Sequence, residues 1–372
     1  MGADFYKKLT HKIISSLRND YTDNYDKVRF KTPPAGQSFV AKLYNTDFIK
    51  RRFINKSTHS AELYYAQELL NDPSFPAFET LYGLLENTES RDLLIDLVVY
   101  RMLGHKRVKL PINNPSYWGN LKKSAELEKK DQVLEVSYIN NGRLTYFDLS
   151  PVGMDIKLYF SQMGILTDFI LEQYCYKSPD KVIKVLPGYT VIDAGGCWGD
   201  TALYFALRSG PKGKVYSFEF IPGNLKIFRQ NLSLNPSLAP NIEIVANPVW
   251  ETDNKDFYYT DRGPASSVSF EKTGTDSTLI KSKTIDALVK EKQIERVDFI
   301  KMDIESAEPY ALKGAVETIK RDKPVLAIAI YHSLSDFVSI PQYIHSLGLG
   351  YKFYLGHYTI HEEETVIFAT TA

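Results

Sequence analysis

From about residue 151 to the C-terminus, short apolar runs alternate with stretches whose apolar positions recur every three or four residues. The runs at Thr190–Ala194, Lys214–Phe218, Ile242–Ala246, Val297–Met302 and Val325–Ile330 predict strands. Thr201–Arg208, Pro222–Leu234, Thr284–Glu291 and Pro309–Arg321 predict helices between them. Such alternation implies βαβ units and a parallel sheet covered on both faces. The end breaks the rhythm: "YKFYLGHYTIHEEETVIFATT" gives two strands with only a short polar link, so the last strand runs antiparallel to its partner.

The first 150 residues carry a different, mostly helical pattern. Phe5, Leu9, Ile13, Ile14 and Leu17 form one helical stripe, and "SAELYYAQELLND", "PAFETLYGLLEN" and "SRDLLIDLVVYRMLG" read the same way. Ser90 is the expected N-cap of the last of these, and Gly104 its end. Two alternating runs around Asn141-Gly142 predict a hairpin near 133–148. The expected division is a helical domain at 1–150, serving as substrate cover, dimerisation element or both, and an α/β domain at 151–372.

Composition narrows the function classes. The 372 residues are 44% hydrophobic and 24% charged, ordinary values for a globular protein. Lys+Arg and Asp+Glu both number 45, so no global charge draws the chain to nucleic acid or anionic lipid. Runs such as "VLAIAIY" are far shorter than the roughly 20 residues of a membrane span. The N-terminus lacks the apolar region of a secretion signal, and Tyr6 stands where a myristoylation motif needs Ser or Thr. Cys175 and Cys197 offer no disulfide framework and suit a reducing compartment. A cytoplasmic location is the expectation.

The chemistry concentrates in "VIDAGGCWGDTALYFA", a glycine-rich turn between the first strand of the α/β region and its helix. In a βαβ unit this turn lies at the ligand edge of the sheet. Gly195, Gly196 and Gly199 allow close backbone approach, and Glu219, about twenty residues on, is placed to accept from both ribose hydroxyls. A dinucleotide would want a glycine at Ala194. It would also set its pyrophosphate against Asp193, a repulsion on the order of several kcal/mol. S-adenosylmethionine carries an ammonium and a sulfonium instead, so Asp193 favours it. The plain alternative is that Asp193 only caps the following helix. Trp198 either walls the cofactor pocket or packs on a helix; Asp200 and Thr201 serve the methionine end of the ligand or cap.

Together with "VDFIKMDIESAEPYALKGA" and "LAIAIYHSLSDFVSIPQYI", this turn resembles the FkbM family of S-adenosylmethionine-dependent methyltransferases over roughly residues 145 to 370. The resemblance implies a Rossmann-like class I methyltransferase fold, with a seven-stranded sheet whose last strand is antiparallel. It also implies O-methylation of a hydroxyl on a sugar, glycan or natural product. Ser306 departs from the family, which carries Gly there; the expected effect is a changed loop shape, with Ser306 able to cap the next helix.

Two further segments reach the same sheet edge. "KMDIESAE" offers Asp303, Glu305 and Glu308, and "IAIYHSLSD" offers Tyr331, His332 and Asp336. His332, with an ordinary pKa near about 6.5, is the candidate general base, and Asp303 should line the cleft beside it. Glu308 precedes Pro309 and equally suits an N-cap. Asp303, Glu305, Glu308 and His332 also form a candidate set for Mg²⁺ or another divalent cation, which spacing alone does not establish. His357 and His361 fall in a strand link and read as incidental. The competing functions are an NAD-dependent oxidoreductase, disfavoured by Ala194 and Asp193, and a non-catalytic binding module of the same fold. Closure over the cleft is expected from the first domain and from the Trp250–Lys283 insertion with its "DRGPASSVSF"; a homodimer is left open.

Overall fold

The computed structural model describes residues 2–27, 75–136, 142–259, 268–269 and 278–372. The expected helix "SAELYYAQELLND" and most of "DRGPASSVSF" lie outside these residues. Seven strands form the central sheet: β1 (Thr190–Ala194), β2 (Lys214–Phe218), β3 (Ile242–Val245), β4 (Phe299–Met302), β5 (Val325–Ala329), β6 (Lys352–His357) and β7 (Thr365–Thr370). Their order is β3-β2-β1-β4-β5-β7-β6. The first five strands run parallel, and β7 is antiparallel to both of its neighbours. This is the class I methyltransferase sheet. The strand order reverses between β1 and β4, so their C-terminal ends flank the crevice where such sheets bind ligands.

Alternate side chains feed two cores, as the period of a strand requires. Ile192, Ile300, Ile328 and Ile367 project into one, Val191, Phe299, Ala327 and Phe368 into the other. The helices Gly2–Leu17, Phe75–Leu84 and Thr88–Leu103 share the first core through Phe5, Leu9, Leu94 and Val98. They are therefore built into one face of the sheet.

Local chemistry adjusts several expected boundaries. Asn87, not Ser90, caps the helix Thr88–Leu103, accepting from Ser90 N at 3.2 Å. The buried Ser90 hydroxyl accepts instead from Leu355 N on β6 at 2.9 Å. Gly104 ends that helix as expected. The expected helix over 309–321 is two helices, Glu308–Lys313 and Val316–Asp322. Gly314 lies against the Trp250 carbonyl, and Asp286 caps the second helix at Glu317 N and Thr318 N. A further helix, Asp336–Ser346, contains Pro341, a helix breaker that masks it in the sequence.

The hairpin is present and longer than expected: Glu128–Glu135 pairs antiparallel with Arg143–Asp148, which pairs in turn with Lys157–Phe160. The outer strand of this small sheet is met by two asparagines. Asn231 exchanges bonds with Tyr159 N and O, and Asn235 with Lys157 N and O, so side-chain amides pair a strand edge. The chain then crosses the ligand edge of the main sheet through a π-helical turn, Ile165–Ile170. Single π turns of this kind recur at functional sites.

The shared core makes a prediction. Leu94→Ala should cost about 2–5 kcal/mol and should shift one common unfolding transition, followed by far-UV circular dichroism and by tryptophan fluorescence in urea. Two separate transitions would show that the N-terminal helices fold apart from the sheet.

Candidate active site

A cavity of about 640 Å³ opens at the C-terminal ends of β1, β2 and β4. Its walls come from the glycine turn, the segment Phe160–Tyr174, Asn247–Trp250 and the loop after β4. Among the described residues, none before Phe160 lines it. The nearest cover is thus the π-helical crossing, and the N-terminal helices lie against the sheet.

The turn is held by contacts behind it. Asp193 is fully buried and takes bonds from Thr201 Oγ1 at 3.0 Å and Ser217 Oγ at 2.7 Å. Its other partner is Lys301, directly opposite on β4, whose Nζ lies 3.2 Å from Asp193 Oδ1. The same ammonium donates to Gly195 O at 2.7 Å. Burial lowers the Lys301 pKa, but Asp193, Asp303 and Asp200 together raise it further, so the lysine is charged. Asp193 therefore stands one layer behind the cavity wall. Gly195 adopts φ +95° with the Asp303 carbonyl where a Cβ would be, and Gly199 adopts φ +84° against the Phe228 ring. Gly196 N bonds Phe218 O at 2.9 Å, closing the turn onto β2.

At the nucleoside end, Glu219 accepts from Phe220 N, Ile221 N and Asn224 Nδ2. Burial outweighs these bonds and pushes its pKa up to about 7. Trp198 lines the cavity, and its Nε1 donates to Asn224 Oδ1 at 3.1 Å while its ring meets Phe160 edge-on. Further along, Asp200 and Asp168 face each other. Burial pushes Asp200 up to about 6, and burial together with Asp200 pushes Asp168 well above the usual carboxylate range. Asp200 Oδ1 is buried and has no hydrogen-bond partner.

At the far end, Asp303 accepts from Tyr174 OH at 2.9 Å and Tyr331 OH at 3.2 Å. Burial raises its pKa, but His332, Lys301 and Tyr174 outweigh that and hold it below the usual carboxylate value. His332 has Asp303 Oδ1 at 3.3 Å from Nε2 and Glu308 Oε1 at 3.3 Å from Nδ1. Burial lowers its pKa, yet these two acids raise it to about 11. The neutral imidazole expected from the sequence is thus not the form this setting favours. Glu305 lies 3.7 Å from the ring at the exposed rim. Glu308 is the first residue of its helix, not the N-cap weighed for it, and accepts from Ile304 N at 2.8 Å, ahead of the helix. Asp303, Glu308 and His332 bring three ligand atoms within 4.8 Å of one another, the group among the described residues that could hold a metal ion. His357 bonds Thr365, and His361 bonds Asp26 N and Tyr100, so the two histidines hold no site together.

Residues 188–353 match the methyltransferase FkbM domain. That stretch, under half of the chain, is similar to an FkbM-family methyltransferase domain. The methyltransferase sdnD of Sordaria araneosa is 26% identical over 210 residues, 48% of this chain and 75% of that protein. The crystal structure of methyltransferase FkbM from Methylobacillus flagellatus KT aligns with a TM-score of 0.48 and 21% identity over 80% of this chain. This chain spans 58% of that longer one. Fibrillarin of Aeropyrum pernix, solved with natively bound S-adenosyl-L-methionine, aligns with a TM-score of 0.34 and 16% identity over 64% of this chain.

The departure at Ser306 from the FkbM pattern has a backbone cause. Ser306 sits at φ +73° and Glu305 at φ +54°, a left-handed pair for which glycine is the unstrained choice. Ser306 does not cap the next helix; Ala307 holds the cap position without a side-chain bond. Lys301, Asp168, Tyr174 and Glu364 escaped sequence reasoning. Lys301 alone left a trace, a charged residue inside an otherwise apolar strand.

Two outcomes are expected. Lys301→Met should cost about 3–5 kcal/mol in urea denaturation, because it leaves Asp193 buried without its cation, and adding Asp193→Asn should recover much of that loss. Simple addition of the two losses would show that the pair is not coupled. Ser306→Gly should raise stability by about 1 kcal/mol, read as a higher denaturation midpoint.

Proposed function

We propose that the FkbM domain binds S-adenosylmethionine along this cavity and methylates a hydroxyl of an uncharged acceptor, such as a sugar, glycan or natural product. One observation carries the reading. Among the described residues, Asp168, Asp200, Glu219, Asp303, Glu305 and Glu364 line the cavity against a single cation, Lys301, which is already engaged by Asp193. Such a wall attracts a cationic ligand. It would repel the pyrophosphate of a dinucleotide, which disfavours the oxidoreductase alternative on broader grounds than Asp193 alone.

The residues fit the cofactor. Asp200 Oδ1, buried without a partner, suits an ammonium, and Asp168 in its protonated form leaves that pair with one net negative charge. Glu219, with three of its roughly four acceptor sites taken, keeps capacity for one ribose hydroxyl. When bound, S-adenosylmethionine supplies a methyl group on a positively charged sulfur. The chain's own part is positioning, which contributes up to about 7–11 kcal/mol in well-oriented reactions. Tyr174 and Tyr331 fix the Asp303 carboxylate at the cavity wall. The acceptor hydroxyl would donate to it and pass its proton there as the C–O bond forms and the methyl–sulfur bond breaks, with S-adenosylhomocysteine as the leaving group. The same acids exclude phosphorylated acceptors, and the buried Phe160 and Trp198 limit water at the nucleoside end.

The test is transfer of a labelled methyl group from S-adenosylmethionine onto glycan and natural-product extracts, with mass spectrometry of the product. Label appearing on nitrogen or carbon would overturn the hydroxyl assignment. Calorimetry with S-adenosylhomocysteine should show Glu219→Gln and Asp200→Asn each weakening affinity about ten- to a hundredfold. Because Glu219 accepts only when ionised, wild-type affinity should fall by up to roughly tenfold from pH 8 to pH 6, and Glu219→Gln should lose most of that dependence. A wild-type affinity that is flat over this range would remove Glu219 from the ribose.

A further inference from the structure

The His332 environment is unbalanced in a way that the methyl-transfer reading leaves unexplained. The ring is 6% exposed and lies among three carboxylates, two of them at 3.3 Å on opposite sides. Neither nitrogen makes a directed hydrogen bond, and Glu308 Oε2, on a fully buried side chain, has no partner either. Buried polar atoms are normally satisfied, so the unpartnered atoms of His332 and Glu308 beside Asp303 call for an occupant.

The occupant's chemistry follows from the donors. Two carboxylates and an imidazole are acceptors that share a need for positive charge. Lys301 is committed to Asp193 and to Gly195 O, so the positive charge that the two acids need comes from a proton on His332 or from a bound ion. The two ring nitrogens point apart, so a single ion takes one of them. One ligand atom from each of Asp303, Glu308 and His332 lies within 4.8 Å of the others, close to the span of a shell with bonds of about 2.1 Å. Imidazole mixed with carboxylate favours a first-row divalent metal over Mg²⁺ or Ca²⁺, which prefer oxygen alone.

We propose that Asp303, Glu308 and His332 form a binding site for a divalent transition-metal ion, with Glu305 reaching it from the rim. Tyr174 and Tyr331, both bonded to Asp303, orient that ligand from outside, as partners of ligating carboxylates do. The site adjoins the cavity wall at Asp303, so an acceptor oxygen placed there can reach the ion. Its role deepens, and rests on, the hydroxyl-methylation reading: a bound ion would acidify the acceptor hydroxyl, whose proton would leave to water as the C–O bond forms and the methyl–sulfur bond breaks, leaving S-adenosylhomocysteine.

The probe is Mn²⁺ alone, followed by electron paramagnetic resonance on the full chain without acceptor. The free-ion signal should be lost at one equivalent of Mn²⁺ in the micromolar range. Glu308→Gln and His332→Ala should each weaken binding at least tenfold, while S-adenosylhomocysteine affinity and thermal unfolding confirm that both variants are folded. If wild type leaves the Mn²⁺ signal unchanged up to millimolar ion, or if both folded variants bind like wild type, the site is refuted and the ring is a protonated clamp between two acids. Mn²⁺ binding that obeys the variants, in a protein that methylates no hydroxyl, would sustain the site and sink the functional reading instead.

Discussion

Lys301 and Asp193 face each other across two parallel strands with water excluded from both. Desolvating an ammonium and a carboxylate costs several kcal/mol for each ion, which their attraction offsets only when every remaining lone pair and proton is used. That condition is met here. Thr201 and Ser217 occupy the other faces of Asp193, and two carbonyls of the glycine turn take the spare protons of Lys301. The pair thereby locks the first helix of the α/β region, β2 and β4 around β1. The position of the turn, and hence of every group on the cavity wall, follows from this lock.

The cavity works by grading charge along its length. At the nucleoside end, Glu219 is a single carboxylate held by backbone amides. In the middle, burial pushes both Asp168 and Asp200 above the usual carboxylate range, which lowers the joint charge of the pair. At the far end, Asp303 is kept ionised by two tyrosines and a histidine. A ligand carrying positive charge in its middle portion and a polar nucleoside at one end is complementary to that sequence of groups, whereas a uniformly anionic one meets resistance throughout.

Periodicity made most of the sheet legible, because strands buried on both faces read as unbroken apolar runs. β1 and β2 match the expected ranges to the residue. The antiparallel end was legible from the missing helix alone. What escaped was tertiary. Asp193 was read as a ligand contact, since nothing local shows that a lysine a hundred residues later will neutralise it. Asp168 lies in a π-helical turn, and Tyr174 in the turn that follows it, neither with a sequence signature. The helix break at Gly314 arises from packing on Trp250, and the helix around Pro341 contradicts its own local propensity. The N-terminal helices were recognised as helices, yet their partner, one face of the sheet, could be known only from the assembled core.

The junction between those helices and β6 has a consequence for the protein's behaviour in a crowded solution. β6 is the outermost strand, bonded to β7 on one side only. Its other side is met at Phe353 by Glu86 N and at Leu355 by the Ser90 hydroxyl. A sheet margin with free amides and carbonyls is a template on which a second molecule can add its own strand. The turn between two helices blunts that margin by occupying two of its bonding positions, so the N-terminal region acts as a guard against polymerisation through this border.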